Sequence, residues 1–233
     1  MKRLWLGILS AVLITGATQV AAQTRAVVVE LFTSQGCSSC PPADALLHDL
    51  AKMDGVIPLA LHVDYWDYIG WKDSFATPAF TERQRAYARA QHEQSIYTPQ
   101  MMINGHQHVV GNRKSQVMAA LRQHAGQPQA VVLSVKRQGG KIVINLSQSR
   151  GVGGVDIHVA SYRDISTVDI QRGENAGKTI SYANVVTGLQ TVGKWNGQGA
   201  VALTTATPTG ADGHVVIVQK QNHGEIIAAV NLR

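Results

Sequence analysis

The sequence predicts an α/β domain over residues 23–127 followed by an all-β antiparallel sandwich domain over residues 128–233, both behind a leader of residues 1–22. Three observations carry this. Residues 26–125 alternate short β-branched runs with stretches of helical period. Residues 129–233 hold about seven alternating apolar segments separated by Gly, Asn and Ser, with no helical period among them. An apolar run follows two basic residues at the amino end.

Met1, Lys2 and Arg3 precede an apolar stretch over residues 4–14, and Val20, Ala21 and Ala22 supply the small side chains of a cleavage site. This is the layout of a secretory signal peptide. The stretch is shorter than the ~20 residues a membrane span needs, so no stable membrane insertion is expected after cleavage. Loss of residues 1–22 takes Lys2 and Arg3 and lowers the net charge from +6 to +4. A mildly basic chain without a Lys/Arg block is not a nucleic-acid binder. The expected location is periplasmic or secreted, where cysteines tend to be oxidised.

Residues 26–32 are β-branched and read as a buried strand. Residues 41–53 read as a helix. Pro41 and Pro42 stand in its first turn, where a missing N–H costs nothing, and Ala43, Leu46, Leu47 and Leu50 have helical spacing. Residues 56–63 are a second strand, 64–79 an aromatic irregular segment and 80–94 a polar helix. Residues 100–103 and 106–110 flank the hairpin turn Asn104-Gly105, and 113–124 close the first half as a helix. The strands expected beyond are 131–137, 141–147, 155–162, 179–186, 200–206, 214–220 and 225–232.

The chain has two cysteines, in the motif Cys37-Ser38-Ser39-Cys40 between the first strand and the first helix. At a helix N-terminus the first thiolate faces unpaired N–H groups and the positive end of the helix dipole, which lowers its pKa. The second thiol, one turn on, is placed to attack a mixed disulfide. Ser38 and Ser39 can add hydroxyl hydrogen bonds. Three other readings stand beside dithiol chemistry: a structural disulfide, part of a metal site, or inert core thiols. So short a loop removes little unfolded-state entropy. A structural zinc usually needs four ligands, and there is no second pair.

A strand, a CxxC pair, a helix and a strand, with Thr98-Pro99 ahead of a hairpin, resemble the thioredoxin fold. The phrases at residues 29–44, at 62–66, at 97–100 and Arg172-Gly173-Glu174-Asn175 resemble a family of secreted bacterial thioredoxin-like proteins defined as a domain of unknown function. The resemblance implies a thioredoxin-like domain over residues 26–125, a cis Pro99 beside the reactive thiol, and a residue-98 backbone that pairs with a bound chain. Ser38-Ser39 departs from the dipeptides of thioredoxins and of the DsbA oxidants, so thiol exchange is implied without a direction of electron flow.

The expected function is therefore a thiol–disulfide oxidoreductase acting on protein or peptide thiols and disulfides, with no cofactor. Cys37 and Cys40 carry the exchange, Thr98 and Pro99 hold the substrate chain, and Glu30 is a candidate proton relay. The alternative for Glu30 is a strand-end glutamate facing water. Trp66 and Tyr97 are candidate substrate-binding residues. Tyr65, Tyr68, Ile69, Trp71 and Phe75 complete the aromatic cluster, as a peptide wall or as the segment's own core. The alternative functions are a copper or zinc carrier using Cys37, Cys40 and His62, or a non-catalytic interaction module. Asp64 and Asp67 lie near His62. His106 and His108, two apart on a strand, would share one face.

Overall fold

The computed structural model describes residues 25–148 and 151–233, with the side chain of residue 148 left out; the expected leader, residues 1–22, lies outside them. The architecture is built around strand β1, Val27–Thr33, which is buried along its whole length. A continuous β-branched run suits a strand covered on both faces. Residues 27, 29 and 31 face one layer. Residues 28, 30 and 32 face the other.

Helix α1, Pro41–Leu50, crosses to strand β2, Val56–His62, which runs parallel to β1. Helix α2, Pro78–Ala90, follows the aromatic segment; Thr77 caps it by accepting from the Ala79 N–H. Strands β3, Gln100–Ile103, and β4, Gln107–Val110, form the hairpin read from Asn104-Gly105, whose residues both have positive φ. Helix α3, Lys114–His124, packs with α1 on the Val27, Val29 and Leu31 face, while Phe80 and Tyr87 of α2 cover the opposite face.

The remaining strands are β5, Val131–Gln138; β6, Lys141–Gln148; β7, Val155–Asp169; β8, Thr179–Trp195; β9, Ala200–Ala206; β10, Gly213–Lys220; and β11, Ile226–Leu232. All seven expected segments are strands, but β7 and β8 run much longer than their alternation suggested. Their pairing also differs from expectation. The order β11-β10-β7-β8-β2-β1-β3-β4 makes one mixed eight-stranded sheet, and β5-β6-β9 a second of three strands. The α/β thioredoxin-like domain followed by an all-β antiparallel sandwich is thus not what this chain forms. It is mostly β, with a large mixed sheet and few helices.

The physical reason lies at β2. Its outer edge would expose unpaired backbone groups, and β8 covers that edge in parallel at Ala60↔Val185. Pro58 interrupts the ladder there, having no N–H. Asn184, at φ 48°, instead donates its side-chain amide to the Pro58 carbonyl at 2.8 Å. Alternation shows that a segment is a strand but not which strand it meets. The β5-β6-β9 sheet then packs on the outer face of β7, β10 and β11, around Leu133, Ile144, Ile157, Trp195 and Val216.

A buried polar knot ties β10 to the first half. Arg83 of α2 donates to Glu30 at 2.6 and 3.2 Å and to Gln219 of β10 at 3.1 Å, and Tyr87 donates to Glu30 at 2.5 Å. Arg83→Met strands a buried carboxylate without its counterion. The expected loss is about 3–5 kcal/mol, read from urea unfolding.

Candidate redox site

Cys37 and Cys40 form a disulfide, with S–S 2.05 Å and Cα–Cα 5.4 Å. Cys40 is the N-cap of α1, and its carbonyl accepts from the N–H groups of Ala43 and Asp44. Pro41 and Pro42 occupy the first turn as the sequence indicates. Ser39 Oγ lies 3.4 Å from Cys37 Sγ, and Ser38 and Ser39 are exposed. Both cysteines are fully buried.

The Thr98–Pro99 bond is cis. Gly111, which donates its N–H to the Pro99 carbonyl, lets this strand end close on α1. A Cβ there would stand 3.2 Å from Pro99 Cβ, Ala43 Cβ and Leu31 Cδ1. Trp66 Nε1 donates to Thr98 Oγ1 at 2.8 Å, and the Trp66 Cβ lies beside Gly36. Trp71 Nε1 donates to Gln35 Oε1 at 2.8 Å. Both indoles are thus half-buried around the cysteine loop rather than in a separate core. Tyr68, on a short 3-10 turn at Asp67–Ile69, stands 82% exposed. Tyr97 bonds His108 Nδ1 through its hydroxyl, and Tyr65 donates to Gln84.

Beneath α1 lies a buried polar cluster that the sequence reading did not assemble. Asp44 is one helical turn past Cys40, 2% exposed, and accepts from Thr33 Oγ1 at 2.8 Å. His62 Nδ1 bonds Asp73 at 2.7 Å. Asp73 also accepts the N–H groups of Gln35 and Phe75, both at 2.8 Å. Tyr182 of β8 stacks edge-on against His62, with ring centroids 4.8 Å apart. Asp44 Oδ2, His62 Nε2 and the Tyr182 hydroxyl are buried without hydrogen-bond partners. Burial pushes the Asp44 carboxyl up to about 7, against the opposing pull of His62. Burial also opposes ionisation of Asp73, but His62 and the two backbone N–H groups outweigh it and hold that carboxyl below the usual carboxylate range. The one cluster therefore contains a carboxyl that is neutral below about pH 7 and another that is ionised.

Glu30 is neither water-facing nor beside the cysteines. It points to the face opposite α1, into the Arg83–Tyr87–Gln219 knot. His62 is near the site, but its Nδ1 is committed to Asp73, and among the described residues no group of three His, Cys, Asp or Glu is placed to hold a metal ion. Asp64 accepts from Thr81 and Asp67 from the Asp73 N–H. His106 approaches His124 while His108 turns to Tyr97 and Glu93, so the pair does not converge.

The second half of the chain also reaches the site. Residues 170–178, the tip joining β7 to β8, lie on the cysteine loop. Asn175 Nδ2 donates to the carbonyls of Gln35 and Cys37, both at 2.9 Å, and Glu174 accepts the Ser38 N–H at 3.2 Å. Arg172-Gly173-Glu174-Asn175 was legible as a motif, but its partner was not. Asp44 had a weaker signal, as an acid on the apolar stripe of α1. A surface cavity of about 570 Å3 around Arg25, His106, His124 and Glu225 touches none of these residues.

Fold and site together define a mixed-sheet protein with a covered cysteine pair at a helix N-terminus. The chain belongs to the family of proteins of unknown function DUF1223, whose model matches residues 28–219. It is similar to protein AGR_C_4864 from Agrobacterium tumefaciens, at 36% identity and TM-score 0.75, over 91% of this chain and 96% of that one. HBP35 of Porphyromonas gingivalis shares the fold at 12% identity and TM-score 0.59, over 89% and 74% of the two chains. No curated protein matches.

Asp44 makes stability depend on pH. Its carboxyl is protonated in the folded protein and ionised in the unfolded one between about pH 4 and 7. The folded state then binds the extra proton, so stability falls as pH rises through that window and levels off above it. The full effect is roughly 4 kcal/mol. Asp44→Asn is expected to flatten this loss, measured by urea unfolding of the oxidised protein from pH 4.5 to 8.

Proposed function

We propose that this protein is a thiol–disulfide oxidoreductase of the periplasm or exterior, exchanging electrons with protein or peptide thiols through Cys37 and Cys40. The observation that carries the reading is the buried Cys37–Cys40 disulfide at the amino end of α1. The likeness of the CSSC and Thr-Pro arrangement to thioredoxin-type sites supports it. The leader-like residues 1–22 support the location.

In the reducing direction, the Cys37 thiolate attacks a partner disulfide. A mixed disulfide forms and one partner sulfur leaves as thiolate. Cys40 then attacks Cys37 Sγ, the second partner sulfur leaves, and the protein is left oxidised. Two electrons pass to the partner. The oxidising direction is the reverse, with the partner's thiolate attacking Cys37. Cys40 is buried, so its proton needs an internal acceptor. Asp44, a turn away with Oδ2 unpartnered and its carboxyl raised to about 7, suits that role better than Glu30. Exposed Tyr68 and half-buried Trp66 offer aromatic area beside the loop for a bound chain.

The test is a redox titration of the purified protein against glutathione, with thiols followed by labelling. A reversible two-electron couple is expected. Cys37→Ser abolishes exchange, and Cys40→Ser accumulates mixed disulfides with partners in cells. A redox-inactive interaction module predicts the opposite: both variants behave as the unmodified protein does.

A further inference from the structure

An exchanging disulfide must be reached by another sulfur, yet Cys37 and Cys40 have no exposed surface. The segment lying on their loop is the β7–β8 tip, which belongs to the other half of the chain. Asn175, 1% exposed, spends its amide N–H groups on the Gln35 and Cys37 carbonyls. Lys178 Nζ donates to Asn175 Oδ1 at 2.9 Å and so fixes the orientation of that amide. Glu174 accepts from both the N–H and the hydroxyl of Ser38, which holds its carboxyl below the usual range. Gly173, at φ +78°, brings its backbone against Trp71 and Ile69, where a Cβ would stand 3.2 Å from Trp71 Cβ.

The tip is also closed upon itself. Ile170 and Lys178 pair through the Ile170 N–H and the Lys178 carbonyl, and Gly177 donates to the Ile170 carbonyl. Lifting it would give up the contacts of residues 173–175 while leaving these turn bonds in place.

We propose that the β7–β8 tip is a gate over the disulfide, with Asn175 as its latch and Glu174 as a positioning residue that opposes the Cys37 thiolate. A partner exchanges with Cys37 only when the tip is lifted. Docked, the Glu174 carboxylate takes the N–H of Ser38, the residue next to Cys37, and so places negative charge on the cysteine loop. Lifted, it releases that donor to the thiolate, so access and activation arrive together. The purpose of the gate rests on the oxidoreductase reading; its mechanics do not.

The experiment is reduction of the full mature protein by excess dithiothreitol, followed by maleimide labelling of the two thiols. Dithiothreitol closes to its cyclic disulfide as two electrons and two protons pass to Cys37 and Cys40. Asn175→Ala removes both hydrogen bonds to the cysteine loop, and the Lys178 bond with them, and is expected to speed reduction by about tenfold or more. Gln171→Ala, on the same tip but outside the latch, stays within about twofold of the unmodified rate. Glu174→Gln, isosteric and exposed, is expected to speed reduction less. In the reduced protein it moves the pH profile of Cys37 alkylation to lower pH, a shift that lost packing would not produce. Unchanged rates in Asn175→Ala together with an unmoved profile in Glu174→Gln overturn the gate. So does acceleration that only tracks a lower global unfolding midpoint. Faster reduction without any reversible glutathione couple keeps the gate and removes the oxidoreductase. A reversible couple with identical rates in all variants does the reverse.

Discussion

The parallel seam between β2 and β8 is the constraint on which the rest of this structure depends. It is a narrow one, a single register pair at Ala60↔Val185 beside a proline that cannot donate. The Asn184 side chain supplies a donor where the ladder lacks one, at the cost of a left-handed backbone. From that seam β8 and its partner β7 run on past the register pair. The extension seats Tyr182 over His62 and Ser181 against His48 of α1, then carries residues 170–178 to the cysteine loop. Without the seam β2, the neighbour of the strand that leads into the cysteine pair, would be an open sheet edge. With it, the motif is covered by the other half of the chain.

Coverage changes the chemistry of what lies below. Asp44, His62, Asp73 and Tyr182 come from a helix, a strand end, an irregular loop and a distant strand, and they share one water-excluded space. In such a space ionisation is decided by the donors at hand. Asp73 has three donors and stays charged. Asp44 has one, Thr33, and its proton is retained to near neutrality. Two carboxyls in one cluster thus hold different protonation states below about pH 7, Asp44 neutral and Asp73 ionised and bonded to His62. Glu30, also a buried acid, is given a cation instead. It serves packing between α2, β1 and β10 rather than the cysteines.

Much of this was legible residue by residue. The β-branched run of β1, the prolines opening α1, the Asn-Gly hairpin and the alternating strands of the second half all follow from local propensity and period. The cysteine pair at a helix start follows from the same reading. Glu30 shows the limit. Its parity along β1 puts it opposite Thr33, but parity alone does not say which face α1 covers. Asn175 shows another: 138 positions separate it from Cys37, and no local pattern records that distance.

The sequence by itself determined the elements and the CSSC motif, because both depend on neighbours within a turn or a strand. Tertiary structure alone decided which strands share a sheet, which acid lies under the cysteines and what covers them. These depend on strand edges that must be paired and buried charges that must find donors, and such partners come from wherever the chain brings them.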